Sequence, residues 1–91
     1  MTVSLDQPIR RAAVLWRRSG DRVLIRRRGD DQLTVLADTG VSMWLELAEP
    51  TTVGGLAERL AELHGAPVEQ VAPDVQAAIE RLVADDVVVA G

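Results

Sequence analysis

The stretch QLTVLADTGVSMWLEL, residues 32–47, changes its hydrophobic period partway along. In Gln32–Ala37, Leu33 and Val35 fall on one face and Thr34 and Leu36 on the other, the two-residue period of a β-strand. Past Asp38, the residues Val41, Trp44, Leu45 and Ala48 recur at the i, i+3, i+4, i+7 spacing of an amphipathic helix. Asp38 or Thr39 can cap that helix, which is expected over about residues 39–48 and is ended by Pro50. A strand therefore runs almost directly into a helix, and the elements on either side follow from that junction.

Upstream, the pattern stays β-like. Ile9–Arg18 reads as a first strand and Arg22–Arg28 as a second, joined by Ser19-Gly20-Asp21, a hairpin-type loop. Gly29-Asp30-Asp31 is the next turn, so Gln32–Ala37 is the third strand of an antiparallel meander. Residues 1–8 (MTVSLDQP) read as a flexible lead-in, with Pro8 holding Gln7 extended. Downstream the period remains helical. Thr51 or Thr52 caps a second helix whose apolar stripe is Val53, Leu56, Ala57, Leu60 and Leu63. Gly54 and Gly55 weaken its first turn by roughly 1 kcal/mol each relative to Ala, and His64-Gly65 ends it. Pro67–Ala72 has room for one extra turn. Pro73 then suits the first position of a third helix with Val75, Ile79, Leu82 and Val83 on its core face. Asp85-Asp86 breaks that helix before a short final strand, Val87–Val89. The expected order is βββ-ααα-β, an α+β fold in one domain over residues 9–91.

Composition narrows the function. The formal charge of −4 hides a division. Residues 1–28 hold eight of the ten arginines against two aspartates, a net +6, and residues 29–91 carry −10. The chain has no Cys, which excludes disulfides, thiolate chemistry and zinc fingers. It has no Lys, which excludes a P-loop lysine and Schiff-base chemistry. One His rules out a multi-histidine metal site. The longest apolar run, Ala12–Trp16, is five residues, far short of the ~20 needed to cross a membrane. No signal-peptide pattern opens the chain, so a cytoplasmic protein without membrane association is expected.

Few residues are placed for chemistry. His64 is the one neutral-pH acid–base candidate, and a helix C-terminus explains it more simply. Ser42 follows Val41 rather than the Asp expected of an acyl carrier, and residues 9–37 are β-like where acyl carriers are helical. No third ligand accompanies Asp30-Asp31 or Asp85-Asp86, so neither pair makes a metal site. No enzymatic activity and no cofactor are expected. The arginines could bind phosphate or simply form a solvated sheet face. A sheet followed by helices suggests a winged helix-turn-helix on DNA. Its third helix, however, offers Asp74, Gln76, Glu80 and Arg81 and ends in Asp85-Asp86, a surface that repels phosphate. Nucleic acid is therefore not an expected partner. Peptide binding remains. The third strand can leave an edge for β-augmentation, and Ala77 and Ala78 leave a shallow strip between Asp74 and Arg81. An ordinary sheet edge beside an ordinary helix accounts for the same residues.

The run QLTVLADTGVSMWLEL, the helix TVGGLAERLAELHG and the segment PDVQAAIERLVADDVVV together resemble the PqqD-like family, the RiPP recognition elements, over residues 9–89. The resemblance lies in the ordered combination rather than in any one motif. It implies a winged helix-turn-helix-like domain of three antiparallel strands, three helices and a short final strand. It further implies a non-catalytic protein that binds the leader of a ribosomally made precursor peptide. The leader is expected to pair with the third strand, at Leu33, Thr34, Val35 and Leu36, and to lie against Asp74, Val75, Ala78, Ile79, Arg81 and Leu82 of the third helix. Relatives often carry Asn after the strand's last Leu; Ala37 stands there in this chain and offers no such side-chain hydrogen bond. Two settings fit: lasso-peptide maturation, with a leader protease and an ATP-dependent cyclase as partners, or a chaperone of the pyrroloquinoline-quinone type. The Lys-free, arginine-rich composition is similar to that of high-GC bacteria, in which free-standing lasso recognition proteins are common, so the resemblance, rather than any physical feature of the chain, favours the first.

Overall fold

The computed structural model describes residues 3–27, 29 and 31–91. Strands β1 (Pro8–Arg11), β2 (Val14–Ser19), β3 (Arg22–Arg27) and β4 (Leu33–Ala37) lead into helix α1 (Thr39–Glu46). The two-residue strand β5 (Thr51–Thr52), helices α2 (Val53–His64) and α3 (Val68–Ala84) and strand β6 (Val88–Ala90) follow. A three-stranded antiparallel sheet ordered β2-β3-β4, three helices and a short final strand make a small α+β fold.

The expected first strand is in fact two. Ala12 donates its N–H to the Val87 carbonyl, and Val14 donates to the Ala12 carbonyl, a tight turn that redirects the chain. β1 then pairs with β5 and β6 in one small sheet, and β2 pairs with β3 in the other. Two alanines carry no turn signal, and the alternation of side chains runs on across the break. At the far end the final strand is shifted one residue, so Val88–Ala90 is its paired span and Val87 is fully buried beneath it.

From Val3 onward the lead-in makes specific contacts with the rest of the fold. The Val3 side chain is buried, its N–H donates to Glu80 Oε2, and its carbonyl accepts from Gln76 Nε2 of α3. Leu5 and Gln7 present their carbonyls to the first N–H groups of α2, from Gly54 and Val53. Thr52 Oγ1 accepts from Gly55 N–H. Three of the four donors left over at that helix start are thereby satisfied. The same crowding explains Gly54 and Gly55. A Cβ on Gly54 would lie 3.1 Å from the Leu5 carbonyl, and one on Gly55 would lie 2.5 Å from Thr51 Oγ1.

The helix limits differ from expectation in two places. Asp38 occupies the N-cap position of α1, yet its side chain makes no capping bond; the chain turns there through φ +54. α3 begins at Val68, so the extra turn and the third helix are one element and Pro73 lies inside it. Pro73 is exposed, and its ring displaces a single main-chain bond near the start of a 17-residue helix, a local loss that the remaining turns tolerate. Gly65, at φ +62, ends α2 as expected.

The core is drawn from every layer: Ile9, Val23, Ile25, Trp44, Leu56, Leu60, Val75 and Ile79 are all essentially inaccessible. Arg11 forms the joint between the two sheets. Its guanidinium lies 4.7 Å from the Trp16 ring centroid and 4.8 Å from that of Trp44. The rings meet edge to face at 5.9 Å. Arg11 Nε and Nη2 both donate to the Trp44 carbonyl at the C-terminal end of α1, Nε at 3.1 Å. Burial pushes the Arg11 pKa down, although a guanidinium stays charged at any physiological pH. Arg11 is therefore not part of the solvated basic face.

Arg11→Lys keeps the charge but not the flat group between two rings, and is expected to cost about 1–2 kcal/mol of stability in a denaturant titration. Gly55→Ala would add about 1 kcal/mol of helix propensity at an open site. Here it is expected to lower the Tm instead, because the new methyl displaces Thr51 Oγ1 or the Thr52 cap.

Candidate functional site: the free edge of β4 and the groove beside α3

β4 is an edge strand, and the register determines which of its main-chain groups are free. β2 and β3 are joined by the two-residue loop Gly20-Asp21, with Gly20 at φ +60, so the closing pair Ser19–Arg22 is a hydrogen-bonded one. Bonded and non-bonded pairs alternate along an antiparallel ladder. Arg22, Leu24 and Arg26 therefore turn their main-chain groups toward β2, and Val23 and Ile25 turn theirs toward β4. On β4 the partners of Val23 and Ile25 are Leu36 and Thr34. The N–H and C=O groups of Leu33, Val35 and Ala37 are left pointing out of the sheet.

Side chains on β4 divide between two faces. Thr34 and Leu36 share the inner face with Val23 and Ile25. Leu33 and Val35 project outward and are 58% and 49% exposed. β4 does not pack closely on α3, and the gap between them is a groove. Its middle section, about 240 Å³, is lined by Val35, Leu36, Ala37, Gly40, Met43, Ala78, Arg81 and Leu82. Gly40, Met43 and Ala78 continue into a second section of about 350 Å³, which runs past Asp74 and Val75 to Gln70, Val71 and His64. A more polar depression at the start of β4 is lined by Arg27, Gln32, Thr34 and Asp85.

The sequence-derived residues are therefore not equivalent in the fold. Leu33, Thr34, Val35 and Leu36 form the edge strand, and Asp74, Ala78 and Arg81 lie on the groove side of α3. Val75 and Leu82 reach the groove wall while remaining nearly buried. Ile79 is fully buried and lines none of these depressions, so its role is packing α3 onto the core. Ala77 is exposed outside the groove, which leaves Ala78 alone of the expected strip. Gln76 and Glu80 are engaged by Val3 rather than displayed. Gly40, Met43 and His64 join the lining from neighbouring elements, and no periodicity within α3 points to them; Gln70 joins from the first turn of α3, which the expected start at Pro73 left out. Gly40 stands next to Leu36, where a Cβ would make an ordinary contact at 3.5 Å.

The arrangement offers outward main-chain donors and acceptors, a largely apolar groove beside them, and one exposed cation, Arg81, with no ion pair among the described residues. That chemistry suits an extended peptide. His64 is exposed at the end of α2 and lines only the far section of the groove. Among the described residues no group of three or more His, Cys, Asp or Glu is placed to hold a metal ion, and no helix is long and apolar enough to cross a membrane.

A small α+β domain with a free strand edge beside a helix groove can take an extended peptide as an added strand. The family model for coenzyme PQQ synthesis protein D (PqqD) matches residues 22–88, and the chain belongs to that family, the RiPP recognition elements. Its members are non-catalytic proteins that bind precursor-peptide leaders. No curated protein and no solved structure matches the chain.

Proposed function

We propose that this protein binds the leader of a ribosomally made precursor peptide as an added strand on β4 and delivers it to processing enzymes, namely the leader protease and ATP-dependent cyclase of a lasso-peptide pathway. One observation carries the binding mode: the outward-facing main-chain groups of Leu33, Val35 and Ala37 lie beside the groove formed with α3. A leader strand antiparallel to β4 satisfies those groups. Its alternate side chains then enter the hollows at Leu36, Met43, Ala78 and Leu82. Main-chain pairing supplies affinity, and the hollows supply selectivity. Ordering a flexible leader offsets a few kcal/mol of the gain. The recognition protein performs no chemistry. It raises the local concentration of its peptide at an enzyme. A pyrroloquinoline-quinone setting is the second reading, favoured by the description of the matched family. A precursor gene, a cysteine protease gene and an asparagine-synthetase-like cyclase gene beside this one would select the lasso setting.

Fluorescence anisotropy with a labelled leader tests the binding mode. Val35→Pro removes an outward N–H without touching the β3 ladder, so the domain is expected to stay folded while affinity falls at least about tenfold. Ala78→Leu fills the middle of the groove and is expected to weaken binding by a similar factor with a normal melting curve. Arg81→Glu is expected to change affinity several-fold at low salt, the sign reporting the charge of the leader residue facing it. Unchanged affinity in both Val35→Pro and Ala78→Leu removes the edge-strand reading.

A further inference from the structure

The β2-β3-β4 sheet has an outer face that meets the groove only along β4, at Val35. The register places Leu15 opposite Arg26 and Arg26 opposite Leu33. It likewise places Arg17 opposite Leu24 and Leu24 opposite Val35. These six side chains, four apolar and two cationic, span three strands on the side away from the core. Leu15, Leu33 and Val35 are about half exposed, at 51%, 58% and 49%. A shallow depression of about 300 Å³ lies among Leu15, Arg17, Leu24, Arg26 and Leu33. No carboxylate stands on this face within the strands, and neither Arg17 nor Arg26 has an ion pair among the described residues.

An apolar patch of this kind, set with unpaired charge of one sign, is a feature of recognition surfaces. Its sign specifies the chemistry of the occupant. A second copy docked face to face would set Arg17, Arg22 and Arg26 against themselves, which disfavours self-association. An acidic-rimmed apolar surface complements the face. The face also continues into the proposed peptide site. A strand added at β4 places its outward side chains next to Leu33 and Val35, so a loaded domain presents one four-stranded surface made of both molecules.

Building on the peptide-binding reading, we propose that this outer sheet face docks the enzyme that processes the bound peptide, through an acidic-rimmed apolar patch on that enzyme. The two sides of one sheet then divide the work. The edge and inner groove hold the peptide, and the outer face recruits the catalyst to it.

The probe is the purified peptidase or peptide-modifying enzyme encoded nearest this chain in its genome, titrated onto leader-loaded protein by biolayer interferometry. Two variants are compared with the wild type: the double change Arg17→Glu with Arg26→Glu, and Leu15→Asp. Each is expected to weaken enzyme binding by about tenfold or more. Leader affinity by anisotropy is expected to stay within about twofold, and thermal melts unchanged. The proposal is overturned if wild-type protein does not bind the enzyme, or if both variants bind it as tightly as wild type. It is also overturned if the arginine changes abolish binding to phosphatidylglycerol vesicles or duplex DNA and leave enzyme binding intact. Failure of the wild-type leader to bind in the anisotropy assay counts instead against the peptide-binding reading, which keeps the two results distinct.

Discussion

Two indole rings and the guanidinium between them hold the two sheets of this protein together. Trp16 comes from β2, Trp44 from α1 and Arg11 from β1, and the cation lies within 5 Å of both ring centroids. The same guanidinium donates to the last turn of α1, where the helix dipole is negative. Charge, stacking and hydrogen bonding converge on one side chain, which is why Lys is a poor substitute there. The joint carries a cost. Trp44 Nε1 is buried without a hydrogen-bond partner among the described residues, about 1–3 kcal/mol. Burial of the whole indole, roughly 3–5 kcal/mol on the scale of a Trp-to-Ala deletion, outweighs it. With only two aromatic residues in the chain, both are placed at this joint.

The N-terminal segment braces the groove from behind. Val3 is held by Gln76 and Glu80, so the back of α3 is engaged and its front, with Asp74, Ala78 and Arg81, is left toward the groove. Leu5 and Gln7 fix the start of α2, and its C-terminal residue, His64, marks the far end of that groove. An uninterrupted α3 matters for the same reason. A helix that began at Pro73 would not reach Gln70 or Val71, and the groove would lose its second section.

Where a structural feature was local, it was legible. The change of period at Asp38, the Gly20 hairpin, the Thr52 cap and the Gly65 terminus all rest on interactions within a few residues, and all stand as read. The site was legible as elements rather than as a surface. The structure does set β4 and α3 on either side of one groove, but periodicity alone did not separate Ala78, which lines it, from Ile79, which is core. Gly40, Met43 and His64 come from other elements and enter the lining only when the chain is folded. Arg11 shows the same limit from the other direction: beside Arg10 it reads as one more surface charge, and only packing reveals it between two rings.

The division of charge that the chain displays from the start, +6 over residues 1–28 and −10 after them, is a property of the sequence alone. So are the passage from strands to helices at Asp38 and the acidic character of α3, because each depends on residue type and spacing along one segment. Tertiary structure decided the rest. It split the first strand at Ala12-Ala13, tied down the lead-in and turned Arg11 inward while leaving Arg17 and Arg26 outside. It also left alternate main-chain groups of β4 facing out of the sheet edge. Each of those outcomes depends on a partner distant in the chain: Val87 for Ala12, Glu80 for Val3, Trp44 for Arg11, and the β2–β3 register for Val35. No local pattern encodes where such partners lie.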